Sequence, residues 1–452
     1  MIKVKTDRGP ELTMRFLIIG YGTAGQTAAS TIRKLSREAE VIVLERHKYP
    51  IYHPCSLPMV LSGRLSLDDV VERKPWPGVE VRTESNVISV DLDRKEVIYE
   101  RRGALESLDF DKLIISTGLK PTFPPVEGLD LEGVGTVWDV ESVEHLLKIL
   151  GDKIVVVGGS ATGIEVSAEL ARAGKDVTLL EMEDQLMPGK VDPPIASLVA
   201  KTLSSLGVKV HVKTPLQSIV GRSGRVSEVV AGNARYEVDT VIVVTGARPN
   251  SALAEKAGLR IGVTGGVVVD EYFYTSSKQV LSAGDVAEVK DFITGRPTTT
   301  GLASTAMVQG KIAGQNCVER SIRYEGAVSP FVVSVGEYLF GGVGLTSSLA
   351  EKLGITHATF RIAASDLPRY MEGRDRLVLW LVTDPSGRIL GGQVFGKRGV
   401  RDRVAMLTLA IVNGMRIQDL RKIPLPYNPE VCDVADPLIM LSDAIFFRRS
   451  VI

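Results

Sequence analysis

A strand, loop, helix and strand pattern occurs twice in this chain and constrains its fold more than any other feature. In each copy a short apolar strand leads into a glycine-rich loop, an amphipathic helix follows, and a second apolar strand ends at a glutamate. The first copy has the loop GYGTAG at 20–25 and ends at Glu45, and the second has GGSATG at 158–163 and ends at Glu181. Each copy predicts a βαβ unit, and the distance between the copies allows each to begin its own domain.

The glycine loops predict dinucleotide sites. Backbone N–H groups at a helix N-terminus bind anions, and the glycines let a pyrophosphate approach the backbone. With 44 glycines in 452 residues, the glycine spacing alone is weak, and a tight turn in an empty unit is the alternative reading. Glu45 and Glu181 strengthen the motif, because a carboxylate at the strand end can accept both ribose hydroxyls. Ser160 stands where the pattern prefers glycine, so we expect some strain there.

The remaining pattern completes an α/β chain. The segment around Leu113 to Ile115 is expected to return to the first sheet, and the stretch from Lys120 to Pro125 to act as a crossover linker. Apolar strands ending at Gly246 and Gly284 follow, and then a long helix from Ala303 to Val318. After about residue 328 the strands and one apolar helix lack a nucleotide motif. The predicted fold class is α/β, with two Rossmann-like dinucleotide-binding domains and a C-terminal α+β domain for assembly.

Composition limits the classes of function. The chain has 54 basic and 54 acidic residues and is 44% hydrophobic, which suits a soluble enzyme with large cores. A nucleic-acid partner is not expected, since there is no basic run, and no apolar stretch reaches the roughly 18 residues of a membrane span. The N-terminal MIKVKTDRGPELTMRF carries charges where a secretory signal needs an apolar core. Three widely spaced cysteines predict no metal site and no disulfide framework, so we expect a cytoplasmic protein.

Cys55 is the main candidate for redox chemistry. It precedes an apparent short helix from Leu57 to Leu61, whose dipole would lower the thiol pKa below its ordinary value of about 8.5. The alternative is a packed core thiol, but the neighbouring proline, histidine and serine residues make a poor core segment. For Cys317, inside a helix, burial is the expected role, and a second redox role is left open for Cys432.

Together these motifs resemble the pyridine nucleotide-disulfide oxidoreductases from about Met14 to the end of the chain. The resemblance rests on both loops with their glutamates and on the turns STG at 116–118, TG at 245–246 and AGD at 283–285 before a helix. The segment YHPCSLPMVLSG, with its single cysteine, resembles the corresponding segment in one branch of this family. That branch contains coenzyme A disulfide reductases, NADH oxidases, NADH peroxidases, and persulfide or polysulfide reductases. The absence of a Cys-x4-Cys pair separates the chain from glutathione and lipoamide reductases.

The resemblance implies FAD at the first loop and a nicotinamide nucleotide at the second, in a homodimer whose active site the partner subunit completes. It implies a discontinuous FAD-binding domain at 1–120 and 245–325, an NAD-binding domain at 121–244 and a dimerisation domain at 326–452. Glu181 favours NADH over NADPH, because its charge repels the extra phosphate. The expected cofactor-binding residues are Gly20, Gly22, Thr23, Ala24, Gly25, Glu45, Arg46, Val87, Thr117, Gly118, Gly158, Ser160, Gly163, Glu165, Glu181, Gly246, Gly284, Asp285 and Ala303.

The same resemblance implies a sulfur substrate. Family members that reduce oxygen species carry a histidine near the position of Thr23, so Thr23 favours a coenzyme A disulfide, coenzyme A persulfide or polysulfide. The expected catalytic residues are Cys55 and two tyrosines, Tyr370 and Tyr427, for which interface packing is the alternative role. Coenzyme A is a candidate ligand, with its phosphates at Arg33 and Lys34.

Three further questions stay open at this point. The first alternative function is an NADH oxidase that works through a cysteine sulfenic acid. The second, from another class, is an electron-transfer reductase for a ferredoxin-like protein, with Cys55 only structural. His47 and His53 lie near the thiol in sequence, but solvent-facing loop histidines are the commoner case.

Overall fold

The computed structural model describes residues 13–449, so most of the charged N-terminal segment lies outside the described residues. The first strands are β1 (Arg15–Ile19), β2 (Glu40–Leu44), β3 (Ile51–Tyr52), β4 (Val71–Glu72), β5 (Glu80–Arg82), β6 (Ser85–Asp91), β7 (Glu96–Arg101), β8 (Ala104–Asp109), β9 (Lys112–Ile115), β10 (Leu119–Pro121), β11 (Val134–Gly135), β12 (Lys153–Val157), β13 (Asp176–Leu180) and β14 (Lys209–His211). The later strands are β15 (Leu216–Arg222), β16 (Arg225–Ala231), β17 (Ala234–Glu237), β18 (Thr240–Val243), β19 (Ala247–Pro249), β20 (Val267–Val268), β21 (Val280–Ser282), β22 (Ala287–Lys290), β23 (Pro297–Thr298), β24 (Phe331–Val335), β25 (Tyr338–Gly344), β26 (Ala358–Ser365), β27 (Arg376–Thr383) and β28 (Ile389–Gly396). The helices are α1 (Thr23–Leu35), α2 (Leu57–Leu61), α3 (Val140–Ile149), α4 (Ala161–Arg172), α5 (Pro193–Ser205), α6 (Ala252–Lys256), α7 (Ala303–Val318), α8 (Ser347–Lys352), α9 (Val400–Val412) and α10 (Pro437–Arg449).

By its contacts the chain forms two compact units. The first contains the residues up to Pro54 together with Ser66–Pro121 and Ala247–Ala327. The second contains Cys55–Leu65, Thr122–Gly246 and the residues from Val328 onward. The segment Cys55–Leu65, which lies inside the predicted range 1–120, therefore groups with the second unit.

The first unit is built on a parallel sheet in the order β21, β9, β1, β2, β5. The expected return of the segment around Leu113 is confirmed, since β9 pairs with β1 in parallel. Alternate residues of β1 face opposite sides: Phe16 and Ile18 join one buried cluster, and Leu17 and Ile19 join another. Burial on both faces explains why this strand is apolar throughout.

Helices α1 and α7 pack closely against each other in this unit. A Cβ atom at Gly310 would overlap the carbonyl oxygen of Ala24, and one at Gly314 would lie 2.7 Å from that of Ala28. Both glycines are buried. The absence of side chains on this face of α7 is therefore what lets the two backbones approach.

The second unit contains two five-stranded sheets and the three-stranded antiparallel sheet β15, β16, β17. A parallel sheet in the order β11, β18, β12, β13, β14 repeats the pattern of the first unit. An antiparallel sheet in the order β24, β25, β28, β27, β26 follows, and α9 packs on its strands β25 and β28. The predicted fold class, with two Rossmann-like sheets and a C-terminal α+β part, is confirmed.

The predicted crossover linker from Lys120 to Pro125 contains the point where the chain passes from the first compact unit to the second, between Pro121 and Thr122. Lys120 and Pro121 lie in β10, which pairs antiparallel with β19. Beyond this pair, the N–H of Thr122 donates to the carbonyl oxygen of Gly246 at 3.0 Å. The partners of this segment lie far away in sequence, so no local signal could show the pairing.

Over residues 13–449, no helix combines the length and the apolar character that a membrane crossing requires.

Candidate functional site

The first glycine loop has the geometry of an anion site. Gly20 has a φ of +93°, which side-chain-bearing residues rarely adopt. A Cβ at Gly25 would overlap the carbonyl oxygen of Gly20, so α1 approaches the loop closely. Among the described residues, no side chain caps α1 at Gly22, and a Cβ there would meet nothing within 4 Å. The N-terminus of α1, which starts at Thr23 and Ala24, can therefore accept an anionic group such as a pyrophosphate.

Glu45 is tied to this loop. Its carboxylate accepts hydrogen bonds from the N–H of Tyr21 at 2.7 Å and the N–H of His47 at 3.0 Å. The neighbouring Arg46 is exposed, and its Nε lies 3.3 Å from Nε2 of His47. The loop backbone thus orients the carboxylate at the end of β2, where the sequence predicted a ribose contact.

Other predicted flavin contacts lie in the same unit. The Thr117 hydroxyl donates to the carbonyl oxygen of Asn250 at 2.7 Å, and the N–H of Asn250 donates to the carbonyl oxygen of Gly118 at 2.9 Å. Asn250 carried no recognisable signal in the sequence. Val87 is half-buried in β6, and no bond joins it to this turn among the described residues.

Asp285 follows Gly284, whose φ of +81° and N–H bond to Gln309 Oε1 at 2.9 Å fix the turn after β21. The Asp285 carboxyl accepts from the Thr300 hydroxyl at 3.2 Å, beside the start of α7 at Ala303. Burial raises the pKa of Asp285, and hydrogen bonds from Thr300 and from the backbone of Leu302 and Gly301 oppose that rise. A buried carboxyl at a helix start can bind a hydroxyl group of a ligand.

The second loop repeats the first with one difference. Gly158 has a φ of +114°, and a Cβ at Gly163 would overlap its carbonyl oxygen. Ser160, where the pattern prefers glycine, has a φ of −73° and is the N-cap of α4, with its hydroxyl 3.5 Å from the Gly163 N–H. A serine fits because an N-cap needs extended backbone and an acceptor rather than a missing side chain.

Glu181 occupies the position that Glu45 has in the first unit. It accepts from the N–H of Gly159 at 2.6 Å and from the N–H of Glu183 at 2.8 Å. Gly246, at the other predicted turn of this unit, has a φ of +106°. Both βαβ units therefore hold a buried carboxylate against the glycine loop by the same two kinds of backbone donor.

Glu165, one helical turn into α4, contacts the antiparallel sheet. It accepts from the N–H of Ser334 at 3.3 Å and from its hydroxyl at 3.4 Å. Burial raises the pKa of Glu165, Ser334 lowers it in part, and the charge of Glu169 raises it further. Ser334 lies 169 residues away in sequence, so the sequence analysis could not identify it.

Cys55 lies in a 3-10 turn, Pro54–Ser56, directly before α2, and it is exposed. Pro58 lies in the first turn of that helix, as predicted. The core-thiol alternative for Cys55 is therefore wrong. Cys317, in contrast, is buried, and burial raises its pKa to about 12. Cys432 is half-buried, with Sγ 3.7 Å from the carbonyl oxygen of Pro426.

The structure brings Tyr370 and Tyr427 together, with their hydroxyl oxygens 2.8 Å apart. Among the basic candidates, Lys34 is exposed, with Nζ 4.7 Å from the centre of the Trp76 ring. The guanidinium of Arg33 donates to the carbonyl oxygens of Arg37 and Ala39, so it stabilises the turn after α1.

His53 is half-exposed, and its imidazole ring is paired with an acidic residue. Its Nε2 lies 2.8 Å from Oε1 of Glu72. His47 stacks on Tyr49, with the ring centres 5.3 Å apart. These partners account for both loop histidines without a substrate.

Comparison with known proteins agrees with this architecture. The family model for pyridine nucleotide-disulphide oxidoreductases matches residues 14–310, and the model for the dimerisation domain of the same family matches residues 331–431. An NADH oxidase of Methanocaldococcus jannaschii is 34% identical over 441 residues, which cover 95% of this chain and 98% of that protein. An NAD(P)H coenzyme A polysulfide/persulfide reductase of Pyrococcus horikoshii is 31% identical over 452 residues, 97% of this chain and 100% of that protein.

A solved structure of an NAD-dependent persulfide reductase from A. fulgidus has a TM-score of 0.93 and 31% identity to this chain. The match covers 97% of this chain and 84% of that one. The first of these family models, over residues 14–310, includes both glycine loops. The chain therefore belongs to the pyridine nucleotide-disulphide oxidoreductase family and is a flavin-dependent NAD(P)H oxidoreductase.

Proposed function

We propose that this chain reduces the sulfur–sulfur bond of a small thiol-derived substrate, using NADH and the thiol of Cys55. The substrate is coenzyme A disulfide, coenzyme A persulfide or polysulfide. The observation that carries the proposal is the position of Cys55, exposed in a turn at the start of α2. A thiol reacts as its thiolate, and an exposed position at a helix start provides access and a favourable dipole.

The sulfur step balances with one cysteine. The Cys55 thiolate attacks one sulfur of the substrate, so a new sulfur–sulfur bond forms on Cys55 and the second sulfur leaves as a thiolate that takes a proton. Two electrons then break the new bond, which regenerates the Cys55 thiolate and releases the remaining thiol. When bound, FAD would supply these electrons, with NADH as their source.

The residues present fit both dinucleotides. For FAD, the uncapped start of α1 would take the pyrophosphate, Glu45 the ribose, and Asp285 a hydroxyl of the ribityl chain. For the nicotinamide nucleotide, the start of α4 and Glu181 would serve in the same way. We propose NADH over NADPH because the Glu181 charge would repel a 2′-phosphate.

Coenzyme A would bind through Lys34 in preference to Arg33. Arg33 donates to two main-chain carbonyl oxygens beyond α1, whereas Lys34 is exposed. An exposed lysine can pair with a phosphate as a point charge.

The functional assembly that we propose is a homodimer in the cytoplasm. The dimerisation-domain match at 331–431 supports pairing of two chains, and each partner would contribute Tyr370 and Tyr427 to the other's site. The proposed domains remain FAD-binding at 1–120 and 245–325, NAD-binding at 121–244 and dimerisation at 326–452. The widely spaced, reduced cysteines suit a reducing compartment.

A second candidate function is an NADH oxidase. It is favoured by the 34% identity to the protein of that name from Methanocaldococcus jannaschii. In this function Cys55 would pass through a sulfenic acid. Thr23 argues against it, because the oxygen-reducing members that this chain resembles carry a histidine near that position.

An anaerobic experiment separates the two functions. The enzyme is reduced with NADH and mixed separately with coenzyme A disulfide, coenzyme A persulfide, polysulfide, peroxide and oxygen, and flavin reoxidation is followed in the wild type and in Cys55→Ser. We expect a sulfur compound to be fastest and the serine variant to lose that reaction. Fastest reoxidation by oxygen or peroxide, with Cys55→Ser unaffected on every sulfur compound, would refute the proposal. Cys317→Ser, at a buried thiol, is the matched control.

A further inference from the structure

The segment that carries Cys55 is bound to the helix that starts at the second glycine loop. After α2, the Ser62 hydroxyl donates to Glu169 Oε2 at 2.7 Å, and Nη1 of Arg64 donates to Glu169 Oε1 at 2.6 Å. Glu169 lies on α4 and is 8% exposed. One buried carboxylate therefore uses both of its oxygens to hold the far end of the helix that Cys55 precedes.

The local backbone directs both donors to this carboxylate. Gly63 has a φ of +74°, and its N–H bonds to the carbonyl oxygen of Val60. The N–H of Arg64 bonds to the carbonyl oxygen of Met59, so the chain turns sharply at the end of α2. A glycine just beyond a helix allows such a turn, which places Ser62 and Arg64 on the side of Glu169.

A helix as short as α2 needs contacts with other elements to keep its position. We call the hydrogen bonds of Ser62 and Arg64 to Glu169 the tether of α2. α2 spans only Leu57–Leu61, and helices of this length have little stability by themselves. Its buried side chains, Leu57, Pro58, Val60 and Leu61, hold it by apolar packing, which fixes position less exactly than directed hydrogen bonds do. The hydrogen bonds to Glu169 are directional, and they fix the orientation of the end of α2.

Glu169 is also one turn beyond Glu165 on the same helix, and its charge raises the pKa of Glu165. Glu165 in turn accepts from Ser334 on β24. One face of α4 thus binds the thiol segment and the antiparallel sheet, while the start of α4 carries the glycine loop.

We propose that Glu169 is a positioning residue for Cys55. It fixes the end of α2 through Ser62 and Arg64, and so sets the position of the turn that bears the thiol relative to the nucleotide-binding helix. Its influence on sulfur reduction rests on the proposed function, whereas its influence on the thiol itself does not. Glu169 takes no part in the chemical step.

The test removes the tether in stages. Glu169→Gln keeps an acceptor for Ser62 but loses the charge that pairs with Arg64, Arg64→Met removes the cation, and the double variant Ser62→Ala with Arg64→Met removes both donors. Arg172→Met is the matched control, because it removes an exposed arginine from the last turn of α4. All variants are made in full-length enzyme that also carries Cys432→Ser, so that Cys55 is the accessible thiol beside the buried Cys317.

Two readouts separate positioning from simple stability. The first is the pH profile of Cys55 alkylation by iodoacetamide, which should shift in the double variant, because the surroundings of a thiol decide its reactivity. The second is rapid mixing: reduction of the flavin by NADH should keep its rate, while reoxidation by the sulfur substrate should slow about tenfold, since displaced reacting groups lose rate steeply. Glu169→Gln should lie between the wild type and the double variant.

The proposal is overturned if the double variant lowers the thermal midpoint yet leaves both the alkylation profile and the reoxidation rate at the values of Arg172→Met. A purely structural role would produce that result. Failure of the proposed function gives a different pattern: Cys55→Ser would retain sulfur-dependent reoxidation, while the alkylation profile of the double variant would still shift.

Discussion

The hydroxyl group of Tyr370 lies 2.8 Å from that of Tyr427, although the two residues are 57 positions apart. Their side chains are 72% and 45% exposed. The hydrogen bond between the two hydroxyl groups, with smaller contributions from burial and from nearby negative groups, raises the pKa of Tyr427 to about 12. A phenol with such a pKa stays protonated at neutral pH and keeps its ability to donate a hydrogen bond, as a group that assists a departing thiolate must.

Tyr370→Phe should lower the pKa of Tyr427 toward the ordinary tyrosine value of about 10, because the hydrogen bond that opposes ionisation is gone. Tyrosinate absorbance during an alkaline titration measures this, with Tyr427→Phe used to assign the signal. Tyr272→Phe, in the other compact unit, is the control and should leave that titration unchanged. An identical titration in Tyr370→Phe and the wild type would contradict the expectation.

Asp192 is fully buried at the N-cap of α5 and joins that helix to α8 and β28 in the second unit. It accepts bonds from the N–H and hydroxyl groups of Ser347 and Ser348 and from Nε2 of Gln393 at 2.7 Å. Burial alone would raise the pKa of Asp192, but these donors outweigh burial and hold it below its ordinary value. Asp192→Asn should lower the free energy of unfolding by about 2 kcal/mol. The amide keeps one acceptor oxygen, so the groups that donate to the other carboxylate oxygen would lose their acceptor.

The sign of the pH dependence follows from the lowered pKa. The stabilisation by Asp192 is fully present above the unfolded aspartate pKa of about 3.9, and it is lost as the pH falls through the lower pKa of the folded protein. Thermal midpoints of the wild type and Asp192→Asn should therefore converge in acid and differ at neutral pH. Asp184→Asn, at an exposed site, is the control. A difference that stays constant down to strong acid would exclude this explanation.

Gly310→Ala tests the close approach of α1 and α7. Helix propensity alone would make this change stabilising by about 1 kcal/mol. Because the new Cβ would overlap the Ala24 carbonyl oxygen, we expect destabilisation instead. Denaturant unfolding of the flavin-containing enzyme gives the sign directly. Lys311→Ala, at an exposed position of the same helix, should change stability little, and a more stable Gly310→Ala would show that the helices are free to move apart.

Glu181→Gln should reduce the preference for NADH over NADPH about tenfold. Without its charge, residue 181 no longer repels the 2′-phosphate of NADPH. Between two charges a few ångström apart, this repulsion amounts to about 1 kcal/mol or more. The amide oxygen can still accept from Gly159, so the loop should keep its shape. The ratio of kcat/KM for the two nucleotides measures the change. Glu183→Gln, at the exposed neighbouring acid, is the control, and an equal change in both variants would assign the effect to general surface charge.

Local pattern was enough to predict many elements. Helix α7 runs from Ala303 to Val318 and α2 from Leu57 to Leu61, as expected, because apolar spacing and a proline in the first turn are properties of neighbouring residues. Helix α1 starts at Thr23, inside the glycine loop, so the end of the loop itself forms the first turn of the helix. The fold class followed from the repeated βαβ pattern.

The supporting contacts of the site could not be predicted in this way. Ser334 reaches Glu165 across 169 positions, and Ser62 reaches Glu169 across 107. Serines and glutamates are common, and their pairing depends on which sheets and helices meet. The capping role of Ser160 was missed for a related reason, because the sequence pattern identified it by its place in the glycine loop and not by its place before α4.

The pairing of β10 with β19 has a consequence for how such a chain can be rearranged. The polypeptide departs from the first unit after Pro121 and rejoins it at Ala247, and these two points sit side by side on one small ribbon. A short connection could therefore close the host across the gap without disturbing its parallel sheet. On the side of the first unit, residues 122–246 therefore need only one pair of junctions, and what limits a replacement module lies inside the second unit, where Glu169 bonds to Ser62 and Asp192 bonds to Ser347.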